Sequence, residues 1–174
     1  LLVYGGAAWA LFDATKLACK PGQAGDACLT APQIGFVNVM YGPFKDENGV
    51  ERGPRPTPGI RLTRRAPPTG VDAFGRAVHQ NPNWTRADLV ISKDVEALNR
   101  ILPEMTPDDP DLTRFVQSGG KAILYHGWRD STDMATYTTQ NYDRWATHPT
   151  NGGLKKLQDS VRLFIADTTG HCFG

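Results

Sequence analysis

Val161-Arg162-Leu163-Phe164-Ile165-Ala166-Asp167-Thr168-Thr169-Gly170-His171-Cys172 is an apolar run that stops at a polar turn and a glycine and then presents a histidine. The run is short, rich in aliphatic and aromatic side chains and bounded by turn residues, which predicts a buried strand. A histidine handed to the loop at the carboxyl end of such a strand lies at the edge where doubly wound α/β sheets gather their functional groups. Alone it is weak evidence, since most histidines are surface residues or hydrogen-bonded core residues and only the titration range favours a chemical role.

A second unit of the same kind lies upstream. Gly119-Gly120-Lys121-Ala122-Ile123-Leu124-Tyr125-His126-Gly127-Trp128-Arg129-Asp130 reads as two glycines, a short buried strand, a tight glycine-containing turn and a carboxylate. Between the two units, Asp133 to Thr147 carries Met134, Tyr137, Tyr142 and Trp145 at offsets that return to one helix face. The order is strand, acid-bearing loop, amphipathic helix, strand, histidine-bearing loop. A right-handed crossover brings both loops to one edge of a parallel sheet, so Asp130 and His171 can meet although they are far apart in the chain. Acid followed by histidine is the order of the α/β-hydrolase triad.

The blocks GGKAILYHGWRDS and VRLFIADTTGHCFG, the lead-in DPDLTRFVQSGGK and the upstream FDATKLACKPGQAGDACLT resemble the tannase and feruloyl esterase family of α/β-hydrolases. The resemblance runs with gaps from about Phe12 to the end, and its two C-terminal motifs are specific together rather than separately. Members hydrolyse esters of phenolic or aromatic acids, and one branch acts on a terephthalate monoester. The resemblance implies Asp130 as the acid on the loop after His-Gly-Trp and His171 as the base in a His-Cys pair. It also implies that Cys172 is bonded to a cysteine just before the nucleophilic serine, a partner outside this chain. The expected fold is α/β, with residues 114–174 as the C-terminal strands and helix of the hydrolase core and residues 1–113 as part of an irregular, loop-rich lid.

No Gly-x-Ser-x-Gly elbow and no Cys-Ser pair occurs; the serines are Ser92, Ser118, Ser131 and Ser160. Ser131 follows the acid directly and Ser118 precedes a glycine pair, so each is more simply a turn or capping residue. The nucleophile and the backbone donors of the oxyanion hole are therefore expected outside the chain, which reads as a fragment inactive by itself. A non-catalytic binding or structural domain is the alternative that needs no missing serine. A cysteine or metal hydrolase using Cys172 or His126 is disfavoured, because Cys172 adjoins the candidate base and no ligand set is visible.

The 174 residues carry 19 basic and 18 acidic side chains, a balance that argues against nucleic acid or another polyanion as partner. No apolar stretch approaches the ~20 residues needed to cross a bilayer. Prolines and glycines are abundant, 13 and 18 in the whole chain, and are dense between Gly42 and Pro68, which holds six and four of them and suits a lid better than a sheet core. The expected partner is a small aromatic or phenolic ester.

Cys19 and Cys28 flank a polar Gly/Pro loop short enough to close as a local disulfide, and the resemblance favours that pairing over three unpaired thiols. Such a bridge, with Cys172 left over, points to a secreted or periplasmic address. No cofactor is expected. There is no Cys-x-x-Cys, and His79, His126, His148 and His171 lack ligand spacing. Relatives often carry an Asp-Gly-rich calcium loop where this chain reads LLVYGGAAWA without a carboxylate, so no calcium site is expected.

Further elements follow from local signals. Thr30-Ala31-Pro32 marks a helix start for a segment ending near Tyr41. Val95, Leu98 and Leu102 form a helical stripe, and Leu112 to Val116 reads as a short helix capped by Asp111 and ended by the glycines. Asp133 is the rival acid, but its place at a helix start favours a capping role. His126 is expected to shape the turn after its strand, and His79 and His148 to be solvated. Trp84, Trp128, Tyr137 and Phe173 are candidate lining residues for an aromatic slot, each more often simple packing.

Overall fold

The fold is taken from a computed structural model, which describes residues 12–23, 27–57, 59–60, 71–105, 109–131 and 133–171. They fall into two compact units. One draws on Leu1–Phe44, Gly53–Leu62 and Asp111–Gly174, the other on Lys45–Arg52 and Thr63–Pro110. The chain passes between them through the short paired strands β1 (Phe44–Lys45) and β2 (Glu51–Gly53). The chain re-enters the first unit at Asp111.

In the first unit, strand β3 (Ala122–Gly127) pairs in parallel with β4 (Val161–Ala166), with Ala122 opposite Val161 and Gly127 opposite Ala166. The intervening chain forms helix α4 (Ala135–Thr147), where the sequence pattern predicted an amphipathic helix, and a short helix α5 (Gly153–Leu157) that the pattern did not anticipate. Tyr142 of α4 and Leu157 of α5 join Val161 and Leu163 of β4 in one buried cluster, with Leu124 and Ile165 packed against it. Each such apolar side chain stabilises the fold by roughly 1.5–3 kcal/mol on burial. The Tyr142 hydroxyl donates to the Val161 carbonyl at 2.9 Å, so the ring enters the core without stranding its polar atom.

The opposite face of the strand pair is different. Ile123, Tyr125 and Phe164 are 73%, 84% and 54% exposed. Parallel strands are normally covered on both faces, whereas here the described residues cover one.

Helix α3 (Thr113–Gln117) leads into β3. Asp111 accepts the backbone N–H of Thr113 at 2.8 Å and the Thr150 hydroxyl at 2.8 Å. These bonds, that to the Thr113 hydroxyl foremost, lower its pKa to about 2. The helix begins at Thr113 rather than Leu112, and Gly119 follows it at φ +80°, a left-handed conformation that suits glycine. Buried Asn151 fastens this start to the sheet-covering helices: it accepts from Leu112 N–H at 3.0 Å and donates to the Trp145 carbonyl at 2.8 Å.

Helix α1 (Ala31–Met40) starts as its sequence signal dictates, with Thr30 as N-cap, reciprocal bonding to Gln33 and proline in the first turn. The preceding loop is closed by the Cys19–Cys28 disulfide and by Cys19 N–H donating to the Leu29 carbonyl at 2.9 Å.

The second unit is built around helix α2 (Ile91–Ile101) and a π-helical segment at Val71–Val78. Trp84 is buried between Phe74 and His79, ring centroids 5.9 and 6.0 Å away. One expectation fails in this unit. The buried position of α2 is Asp94, whereas Val95 is 37% exposed, because Asp94 has partners in the Val90 N–H and His79 Nε2, both at 3.0 Å. His79 is exposed, as expected, and is at the same time half of this pair. His148, also expected in solvent, is half-buried and shares a hydrogen bond of 2.8 Å with the Thr150 hydroxyl.

Two stability outcomes follow. Leu157→Ala is expected to cost about 2–5 kcal/mol in urea unfolding, whereas Leu154→Ala on the exposed side of α5 should stay within about 0.5 kcal/mol. Gly127→Ala is expected to cost about 1–3 kcal/mol, because an added Cβ would strike the Thr169 carbonyl and lie 2.6 Å from that of Gly170, both backbone atoms.

Candidate active site

The carboxyl ends of β3 and β4 are sewn together by backbone. Trp128 N–H donates to the Ala166 carbonyl at 2.8 Å and Arg129 N–H to the Thr169 carbonyl at 3.1 Å. The loop after β3 then turns, with Asp130 N–H returning to the Gly127 carbonyl at 3.1 Å. From the other side the fully buried Thr57 donates its hydroxyl to the Trp128 carbonyl at 2.6 Å. Asp130 is thereby held at 4% exposure beside the loop that follows β4.

His171 Nδ1 lies 2.9 Å from Asp130 Oδ2. The contact makes Nδ1–H the donor and leaves Nε2 with no partner among the described residues, on a side chain that is 53% exposed. A buried carboxylate behind and a solvent-facing nitrogen in front are what a general base requires. The hydrogen bond from His171 to Asp130, then the carboxylate charge, raise the imidazole pKa above its ordinary 6.5, with Asp133 adding a smaller push.

Asp133 does not cap α4. The N-cap is Met134, without a side-chain cap bond. Instead the Asp133 N–H donates to Asp130 Oδ1 at 2.9 Å, so the loop uses that amide to orient the acid. The Asp133 carboxylate is 71% exposed and 3.7 Å from His171 Nδ1. Asp130 therefore has the closer and more buried contact. The ligand atoms of Asp130, Asp133 and His171 lie within 4.8 Å of one another, but a cation there would compete with the Asp130–His171 hydrogen bond, and we read the set as acid and base.

His126 was expected to shape a turn. It sits on the helix-covered side of β3, its Nδ1 2.7 Å from the Thr138 hydroxyl and its Nε2 3.3 Å from Asp130 Oδ2. The available signal was a histidine at an inward position of an otherwise apolar alternation.

Of the serines, Ser118 donates to the Phe115 carbonyl, Ser92 to Glu47, and Ser160 lies 3.4 Å from Lys121 Nζ. Each is engaged away from His171. Ser131 follows the acid and lines a groove of about 310 Å³ with Val39, Met40, Phe44, Pro54, Pro56 and Met134. Among the aromatic candidates, Trp84 is packing in the second unit, Trp128 is half-buried on the acid loop, and Tyr137 approaches Gly53 closely enough to exclude a Cβ there. Cys172 and Phe173 lie outside the described residues. Among the described residues no helix is long and apolar enough to cross a membrane.

No family model matches the chain. Individual proteins do. A probable feruloyl esterase B from Emericella nidulans is 32% identical over 169 residues, 92% of this chain and 32% of that protein. Probable feruloyl esterase B-1 of Aspergillus flavus is 28% identical over 163 residues, 90% of this chain and 31% of its own length. The chain thus spans about a third of the curated relatives it matches. The crystal structure of an esterase from Aspergillus oryzae superposes with a TM-score of 0.81 at 26% identity, covering 98% of this chain and 35% of that one. Tannin acyl hydrolase from Aspergillus niger shares the fold at TM-score 0.65 and 17% identity, over 95% of this chain and 36% of its own. With the parallel strand pair, the acid and base loops and these relatives in agreement, the chain is similar to the tannase and feruloyl esterase family of α/β-hydrolases, in keeping with the C-terminal part of its members.

Proposed function

We propose that this chain carries the acid and base of a serine carboxylic ester hydrolase acting on esters of phenolic or aromatic acids through an acyl-enzyme. The observation that carries the proposal is the 2.9 Å contact between solvent-facing His171 and buried Asp130 at adjacent strand ends. His171 Nε2 takes the proton of a serine hydroxyl as that oxygen attacks the ester carbonyl, then returns it to the leaving alcohol. Water repeats the sequence on the acyl-enzyme. Asp130 keeps the proton on Nδ1 and stabilises the imidazolium that forms at each transfer. No cofactor enters this scheme.

The serine and the oxyanion donors are assigned to polypeptide outside these 174 residues. Support comes from the engagement of Ser92, Ser118 and Ser160 elsewhere, and from the bare apolar face of Ile123, Tyr125 and Phe164, which suits coverage by further layers of a hydrolase core. The groove beside the acid loop, about 310 Å³ and lined mainly by apolar side chains, has a chemistry that suits an aromatic ring and supports the substrate class. Relatives are named for feruloyl esters and tannin, in keeping with that class. The Cys19–Cys28 bridge supports an oxidising compartment, secreted or periplasmic, and a partner for Cys172 on the serine-bearing segment belongs to the same reading.

In the full-length protein, Asp130→Asn is expected to lower turnover of methyl ferulate or methyl gallate by on the order of 10⁴, while Asp133→Asn costs less than about tenfold. Turnover should rise with pH on a limb centred above 6.5, because only neutral His171 accepts a proton and Asp130 raises its pKa. The stability link has the opposite sign: the contribution from protonated His171 is present below the unfolded value and is lost as pH climbs through the raised folded pKa. A pH–rate profile and a pH–melting profile on one preparation check both directions. The 174-residue chain by itself is expected to show no esterase activity, and turnover by the isolated chain that His171→Ala abolishes would place the nucleophile within it.

A further inference from the structure

We propose that His126 is a positioning residue of this site: turned by Thr138, its imidazole directs Nε2–H at Asp130 Oδ2 and holds the carboxylate in the orientation that His171 needs. The inference rests on the acid–base reading above. Three features carry it.

First, His126 occupies an inward-facing place on β3 beside Ala122 and Leu124, where an apolar side chain would pack at no polar cost. Burying an imidazole there is unfavourable unless both nitrogens find partners. They do, with Thr138 Oγ1 at 2.7 Å and Asp130 Oδ2 at 3.3 Å. Second, the arrangement selects a tautomer. A lone pair on Nε2 would face the carboxylate oxygen and repel it, so Nε2 carries the hydrogen and Nδ1 accepts from the Thr138 hydroxyl. Third, Asp130 is met from several sides. Oδ1 accepts the Asp133 N–H, while Oδ2 faces both His171 Nδ1 and His126 Nε2. The titratable groups with described contacts to this carboxylate are His171 on the loop after β4, Asp133 ahead of α4 and His126 of β3; α4 contributes the Thr138 hydroxyl to His126. Because both His126 nitrogens are engaged and its side chain is only 17% exposed, it has no face left for a substrate. It acts through Asp130.

The test uses the full-length protein with His126→Phe, His126→Gln and Thr138→Val, read by kcat and KM, by the acid limb of the pH–rate profile and by NMR titration of His171. His126→Phe is expected to lower kcat by about 10- to 100-fold with KM little changed, as a misplaced acid does. Removing the competing donor concentrates the Asp130 charge on His171, so the His171 pKa and the acid limb move upward. His126→Gln, whose amide can still donate to Oδ2, should restore most of both values, and Thr138→Val should move them in the same direction as His126→Phe by less. Wild-type kcat and an unshifted His171 titration in His126→Phe, beside an inactive Asp130→Asn, would overturn the positioning role and leave the acid–base reading standing. If Asp130→Asn were fully active, the acid–base reading would fail, while the His171 titration would still report whether His126 bears on the carboxylate. Should His126→Phe not fold, Gln and Val variants both indistinguishable from wild type would overturn the proposal.

Discussion

Everything at this sheet edge turns on keeping one carboxylate, Asp130, buried and correctly aimed. A carboxylate at 4% exposure is costly unless donors surround it. The surrounding chain supplies them from three directions: the Asp133 amide, the imidazole of His171 and the polar approach of His126. The strands exist to bring these groups together, and the helices exist to give the strands a core. Tyr142, Leu157, Val161 and Leu163 fix β4 against α4 and α5, and the register of β4 on β3 then determines where the two loops emerge.

The juxtaposition of Asp130 and His171 was legible because it depends on topology more than on detail. Two short apolar runs separated by a helical stretch permit few arrangements, and parallel pairing puts both following loops on one edge. The start of α1 was equally legible, since Thr30, Pro32 and Gln33 are local instructions. The Cys19–Cys28 bridge spans nine residues and needed little more than spacing together with the resemblance.

What escaped the sequence was pairing among polar groups. His79 and Asp94 lie 15 residues apart, and nothing local says that a helix would turn an aspartate inward to meet a histidine from the preceding segment. Asp133 looked like a cap because its position is a cap position, yet the loop spends that residue's amide on Asp130. His126 was hidden by its neighbours: in Ala-Ile-Leu-Tyr-His-Gly it reads as the end of a strand, and only the helix opposite reveals Thr138. Such contacts are set by tertiary geometry, which propensity and periodicity do not encode.

The backbone stitching at Trp128 and Arg129, with Gly127 lying flat against Thr169 and Gly170, separates two properties that proteins often couple. Thr138 apart, which reaches Asp130 through His126, Asp130 and His171 are located by main-chain bonds between their own loops rather than by side chains of the helical layer. Substitutions deep among the helices should therefore change how many molecules are folded more than how each folded molecule performs. Drift in that layer is then filtered by abundance, while drift at the loop seam is filtered by chemistry.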